Sequence, residues 1–371
     1  MSASRLPPYE SPARCRAFSF LIVLLCAFGA RATELAGTVP YVAGDGRGGF
    51  VVSYIDGDSF RFVAVRGDKA SPPREIAKGN LLVNRADFPS IAVSGSTIVA
   101  QWLTKNQHGS VVHVARSKDG GATWSSARTP HPMLVSEFGF VSLASNGDAV
   151  WLDGRGLKGG HEGEGEMQLH YASFPFTNDQ AIDARVCDCC QTSMAMTGSG
   201  PIVAYRDRSA NEVRDIAVVR RTASGWTKPS IVHADGWKIA GCPVNGPQLD
   251  ADGKRVAIAW FTAAHQQPRV YAAFSNDAGA TFSAPLRVDL DKPAGRVDIA
   301  LLPGGAAAVT WVEQRGERSI LFARRITAAG AGRPVEIGEA RGFPRIAVSK
   351  ENVGIAWAAG ERVHFRTIQL P

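Results

Sequence analysis

Arginine and carboxylate residues recur together in short segments of this chain. Asp153-Gly154-Arg155, Tyr205-Arg206-Asp207-Arg208 with Glu212, and Arg296 with Asp298 are the densest of them. Arg85 with Asp87, His161 with Glu162, and the single residues Asn245, His265 and Glu313 stand in comparable surroundings. A guanidinium pairs with a carboxylate in a two-pronged fork, so several arginines focused on one cleft would select an acidic ligand. The same side chains can instead neutralise one another in a structural ion-pair network. A second group is Cys187-Asp188-Cys189-Cys190 with Cys242. Disulfides are one chemistry for it, with Cys242 bridging to a member of the run; a second bridge inside the run would be geometrically tight. A thiolate site for a soft ion such as copper(I) is the other.

The segments that carry these residues belong to an unusual composition. Of 371 residues, 39 are Gly and 21 are Pro, while 20% are charged, a balance that suits many short strands joined by turns. Arg14 and Arg16 precede an apolar run from Ala17 to Ala30, and Ala30-Arg31-Ala32 follows as a small-x-small signature. Residues 1–32 therefore read as a cleaved signal peptide, with export to the periplasm or medium; the run is short for a membrane span. Cys26 is not a convincing lipid anchor, because Leu25 before it is large. The segment carries a charge of +3, so the formal +7 of the whole chain falls to +4 for residues 33–371. No Lys/Arg run stands out, which argues against nucleic acid as a partner. A glycan or small anionic ligand fits the scattered arginines better, and a protein partner remains open. No cofactor is implied.

A repeat of about 50 residues organises the chain. Phe88-Pro89-Ser90-Ile91 precedes a strand ending at Trp102, and Phe343-Pro344-Arg345-Ile346 precedes one ending at Trp357. Comparable units end in Trp151, Tyr205, Trp260 and Trp311, and a weaker first unit includes Phe50–Tyr54. The reading is an all-β, single β-propeller of seven blades, with six as the alternative if the first unit is irregular. The last unit has room for three strands, so Leu35–Val39 is expected to supply its fourth and close the ring. The repeated Trp residues read as core.

Ser117-Lys118-Asp119-Gly120-Gly121-Ala122-Thr123-Trp124 fits the Asp-box pattern S-x-D-x-G-x-T-W, and Ser275-Asn276-Asp277-Ala278-Gly279-Ala280-Thr281-Phe282 fits it with Phe for Trp. Both follow the third strand of their units. On these motifs, and on Val186–Ser193, Val213–Ile216 and Gly241–Pro247, the chain resembles the sialidase-like, BNR-repeat propellers, and a bacterial subgroup often labelled exo-alpha-sialidase. The resemblance implies a propeller scaffold, with the Asp boxes on the face away from the ligand. It implies Arg155, Arg206, Arg208 and Arg296 as ligand-binding arginines, with Asp207, Asn245, Asp298 and Glu313 beside them. It further implies Asp87 or Asp153 as acid/base and Tyr205 with Glu212 as a Tyr–Glu nucleophile pair. Two departures stand against a true sialidase. The early R-I-P motif is absent, and no Tyr lies beyond Tyr271. The rival to an enzyme is a non-catalytic interaction or assembly propeller, metal-linked through the cysteines. The Gly154–Gly165 segment reads as a loop, or as a lid over the channel.

Overall fold

The computed structural model describes residues 32–84, 86–106, 109–134, 136–158 and 164–371. The apolar run of the expected signal peptide, Arg85, His161 and Glu162 lie outside them.

Seven antiparallel sheets are arranged in a ring. Their innermost strands are Thr38–Gly44 (blade 1), Ser90–Ser94 (blade 2), Phe138–Leu143 (blade 3), Ser193–Thr197 (blade 4), Gln248–Asp252 (blade 5), Pro293–Leu301 (blade 6) and Arg341–Ser349 (blade 7). Each packs on the innermost strand of the next blade, and blade 7 returns to blade 1. The only helical pieces among the described residues are two short 3-10 turns, Ala264–Gln266 and Pro303–Gly305.

Pairing of the two chain ends closes the ring. Thr33–Ala36 runs antiparallel to Arg362–Ile368 as the outer strand of blade 7, with Thr33 opposite Phe365 and Ala36 opposite Arg362. The closing strand begins two residues before the expected Leu35–Val39 and stops at Ala36, because Gly37 ends it. Gly37 takes φ 140°, and a side chain there would stand 2.4 Å from the Ile55 carbonyl oxygen. Thr38 and Val39 already belong to blade 1.

The core lies between the blades. Trp151, Trp260 and Trp311 are fully buried, and Trp102 and Trp357 nearly so; all five sit on the second strand of their blades. A buried indole N–H needs an acceptor. Trp151 donates to Asp153 at 2.9 Å, Trp311 to Glu313 at 2.9 Å, and Trp260 to Asp235 at 2.8 Å.

Polar side chains pin neighbouring inner strands. Asp87 accepts the Phe140 N–H at 2.9 Å, Ser142 the Met194 N–H at 3.0 Å, and Ser193 the Leu249 N–H at 3.0 Å. Asp250 accepts the Leu301 N–H at 2.8 Å and Asp298 the Ile346 N–H at 2.9 Å. Inner strands converge on the axis and cannot share ladder hydrogen bonds with one another, so side chains satisfy these amides.

Both Asp boxes adopt one geometry. Ser117 and Ser275 end the third strands of blades 2 and 5. Asp119 accepts the Thr123 N–H at 2.9 Å and the Thr123 hydroxyl at 2.6 Å; Asp277 does the same with Thr281. Gly121 (φ 82°) presses on Phe62 of blade 1, and Gly279 (φ 80°) on Ile202 of blade 4. Trp124 packs edge-on against Phe62, and Phe282 joins the core between blades 4 and 5. Each box thus docks its blade on the preceding one.

Candidate functional site

Two cavities meet at one carboxyl group. The axial channel holds a cavity of about 230 Å³, lined by residues of all seven blades, among them Tyr41, Asp87, Gln191, Asp250, Asp298 and Arg345. A second cavity, of about 500 Å³, opens between blades 2 and 3. Its lining mixes polar residues, among them Asn84, Lys105, Glu137 and Asp188, with apolar Phe138, Phe140, Leu152 and Met167, and includes Cys189. Asp87 lines both. It stands just before the inner strand of blade 2, held by Asn84, whose side chain accepts the Asp87 N–H at 2.6 Å. Gly139 lets the carboxyl approach, since a side chain there would stand 2.1 Å from it. Burial raises the Asp87 carboxyl to about 7 against the pull of the Phe140 amide. Asp298 is likewise raised by burial, to about 6, although Arg345 draws it down, and Asp250 is raised for the same reason.

Arg345 is the channel's buried cation. Its guanidinium lies 3.8 Å from Asp298 and is stacked between the rings of Tyr41 (4.9 Å) and Phe88 (4.6 Å). Nε has no hydrogen-bond partner among the described residues.

The candidates suggested by the sequence are dispersed. Asp153 is fully buried, bonded by Trp151 and doubly by Arg155, which also holds Asp179. His170 reaches Asp179 at 2.7 Å, so this cluster is a closed ion-pair knot within blade 3. It offers neither a free acid/base nor a free arginine. Tyr205 and Glu212 do not form a pair. The Tyr205 hydroxyl bonds Asp183 at 2.5 Å in the core between blades 3 and 4, and burial drives its pKa far up. Glu212 bonds Arg208 at 2.9 Å and Arg214 at 2.8 Å, with Arg185 at 3.9 Å. Arg206 is buried and donates to the carbonyls of Asn245, Arg214 and Phe261, under the Trp237 ring. It ties blade 4 to blade 5 and faces no ligand space. Asp207 is half-buried, with its carboxyl raised by burial, and its amide donates to Asp215.

Asn245 accepts the Arg296 amide at 2.7 Å, fixing the left-handed Arg296 backbone (φ 55°). Glu313 is buried, accepting from Trp311 and from the Leu290 and Asp291 amides. His265 is exposed on a 3-10 turn. Asp87 and Asp298 therefore line the channel together, whereas Arg155, Arg206 and Arg208 are each engaged elsewhere.

The cysteines do come together, but as thiols. Cys187, Cys189 and Cys190 are buried, Cys242 is exposed, and none is bonded to another. The expected disulfide is absent among the described residues. The Cys187 sulfur lies 3.3 Å from that of Cys190 and 3.9 Å from that of Cys189. Arg214 donates to Cys187 at 3.4 Å. Hydrogen bonds from the neighbouring thiols, with the Arg206 charge nearby, hold Cys187 well below the usual thiol range. Burial and its neighbours raise Cys190 to about 12.

Arg345, Asp250 and Arg214 were not singled out as site residues by sequence reasoning. The signal for Arg345 was the parallel of Phe343-Pro344-Arg345-Ile346 with Phe88-Pro89-Ser90-Ile91: one inner-strand position, a hydroxyl in blade 2 and a guanidinium in blade 7. Arg214 sat inside the Val213–Ile216 segment that supported the family resemblance.

These features define a seven-bladed β-propeller with a polar axial channel. No family model matches the chain, and no curated protein matches its sequence. Among solved structures, an ulvan lyase, from a polysaccharide lyase family and solved with a bound sugar, superposes with a TM-score of 0.51 at 11% identity, over 91% of this chain and 96% of the lyase. A prolyl endopeptidase superposes with a TM-score of 0.50 at 11% identity, over 91% of this chain and 48% of the peptidase. A sialidase described as Hadza microbial matches at 13% identity over 90% of this chain and 66% of its own, with a TM-score of 0.47. Identities this low speak to the fold alone.

Proposed function

We propose that this protein recognises a glycan in the cavity between blades 2 and 3. The position of Asp87 carries the reading. Its carboxyl closes the inner end of that cavity, and at about 7 it is shared between protonated and ionised forms near neutrality, so it can both donate and accept a hydrogen bond. The lining combines polar side chains with apolar and aromatic ones, which suits a sugar ring with its hydroxyls and C–H faces. Lys105, exposed, supplies a positive charge to the lining for an acidic sugar. Sialidase-type turnover is not part of the proposal, because Tyr205, Glu212, Arg155, Arg206 and Arg208 are engaged elsewhere. Export is part of it, resting on Arg14, Arg16 and the apolar run to Ala30; N-terminal sequencing of protein recovered from a periplasmic fraction tests it.

Calorimetric titration with neutral, acidic and amino sugars tests recognition. Saturable binding, weakened at least tenfold in Asp87→Ala, is expected, with Lys105→Ala weakening acidic sugars selectively. Absence of binding across the panel removes the reading. A hydrolytic version is favoured by the same Asp87, a carboxyl able to transfer a proton at neutral pH. Turnover of fluorogenic glycosides, lost in Asp87→Asn, would support it; no turnover leaves a binding propeller.

A further inference from the structure

We propose that Cys187, Cys189 and Cys190 form a three-thiolate site for a soft monovalent metal ion, copper(I) in its chemistry.

The three sulfurs all lie within 4.8 Å of one another, in a buried pocket walled by Phe140 and Val244. A metal bound to three sulfurs at about 2.3 Å places them about 3.8–4.0 Å apart. The Cys187–Cys189 separation of 3.9 Å meets this, and the Cys187–Cys190 separation of 3.3 Å must open by about half an ångström. Thiolates with no oxygen or imidazole ligand in the triad select soft ions over hard ones. The fourth cysteine is placed differently. Cys242 is exposed and shares its neighbourhood with Cys189 and Asp188, outside the triad.

Charge gives an independent argument. Arg206 is one of the most deeply buried side chains, yet it donates to three backbone carbonyls and, among the described residues, to no carboxylate. A buried cation held only by dipoles is costly unless a counter-charge is near. Three thiolates around one monovalent ion carry a net charge of −2, and Arg214 donates to Cys187 at 3.4 Å. On binding, each thiol exchanges its proton for the metal, and no electrons are transferred.

The test titrates anaerobically purified, reduced full chain with copper(I) against the chelator bicinchoninate. One copper per chain is expected, with three sulfur scatterers by X-ray absorption. Cys187→Ser and Cys190→Ser should each weaken it at least tenfold, while Cys242→Ser keeps the stoichiometry. Folding of each variant is followed by circular dichroism; if a serine variant fails to fold, the sulfur count on the wild-type protein decides. Three sulfurs support the site. No copper uptake by reduced, folded protein, a sulfur count of two or fewer, or a Cys187–Cys190 disulfide in anaerobically isolated protein would overturn it. So would loss of copper in Cys242→Ser with retention in Cys187→Ser.

Discussion

Asp87 of blade 2 accepts the backbone N–H of Phe140 in blade 3 at 2.9 Å, so the one carboxyl shared by both cavities is also a bolt between blades. Recognition and ring stability are coupled at this residue.

Stability should therefore fall as pH rises through the weakly acid range. The folded-state carboxyl of Asp87 titrates near about 7 and that of Asp298 near about 6, both above the usual value of 3.8. Between about 4 and 7 the native state binds more protons than the unfolded one, so raising pH favours unfolding, and the effect levels off above the folded values. Asp87 accounts for at most about 4 kcal/mol of this. In Asp87→Asn the amide oxygen still accepts the Phe140 N–H. Thermal unfolding of that variant should decline less steeply between pH 6 and 8 than that of the wild type, since Asp298 and the buried histidines still titrate in both. A decline of the same slope in both would show that Asp87 does not titrate in that window.

Arg206→Met should unfold more readily by about 3 kcal/mol or more, since three carbonyls at the blade 4–blade 5 junction lose their donor. Urea denaturation measures this. A loss under 1 kcal/mol would argue that the carbonyls find other partners.

Glu313→Ala should cost about 2–4 kcal/mol, because the Trp311 indole and the Leu290 and Asp291 amides lose one acceptor together. Glu313→Gln keeps an oxygen in place and should recover most of that loss. Equal destabilisation in the two would point to charge rather than hydrogen bonding.

A chain that starts at Thr38 lacks the strand paired with Arg362–Ile368 and exposes that edge. It should melt several degrees lower and self-associate, as seen by light scattering. A monomer with unchanged melting would mean that closure at Thr33–Ala36 contributes little.

At low pH the Asp boxes should weaken. Thr281 and Ser275 hold the Asp277 carboxyl down to about 2, so its contribution is present above about 4 and lost as pH falls through about 2. Asp277→Ala should remove that part of the acid transition, read by tryptophan fluorescence.

The sequence by itself determined the scaffold. A 50-residue period, an aromatic in each second strand, and two Asp boxes in register are local signals, and local hydrogen bonds and burial at those positions produce the blades seen. The pairing of the chain ends was legible too, because a three-stranded last unit must find a partner for its edge; the bounds of the closing strand, Thr33–Ala36 rather than Leu35–Val39, were not, since its end depends on the approach of Ile55 to Gly37. The site was decided by the tertiary structure. Whether an arginine is a ligand or a strut depends on what the neighbouring blade offers it, and no spacing within one segment records that. Arg206 spends its donors on carbonyls at 214, 245 and 261, and Arg155 on Asp153 and Asp179, while Arg345, from the last blade, enters the channel. Asp87 draws its proton affinity from burial between two blades, a property of closing the ring rather than of the residues beside it in the chain.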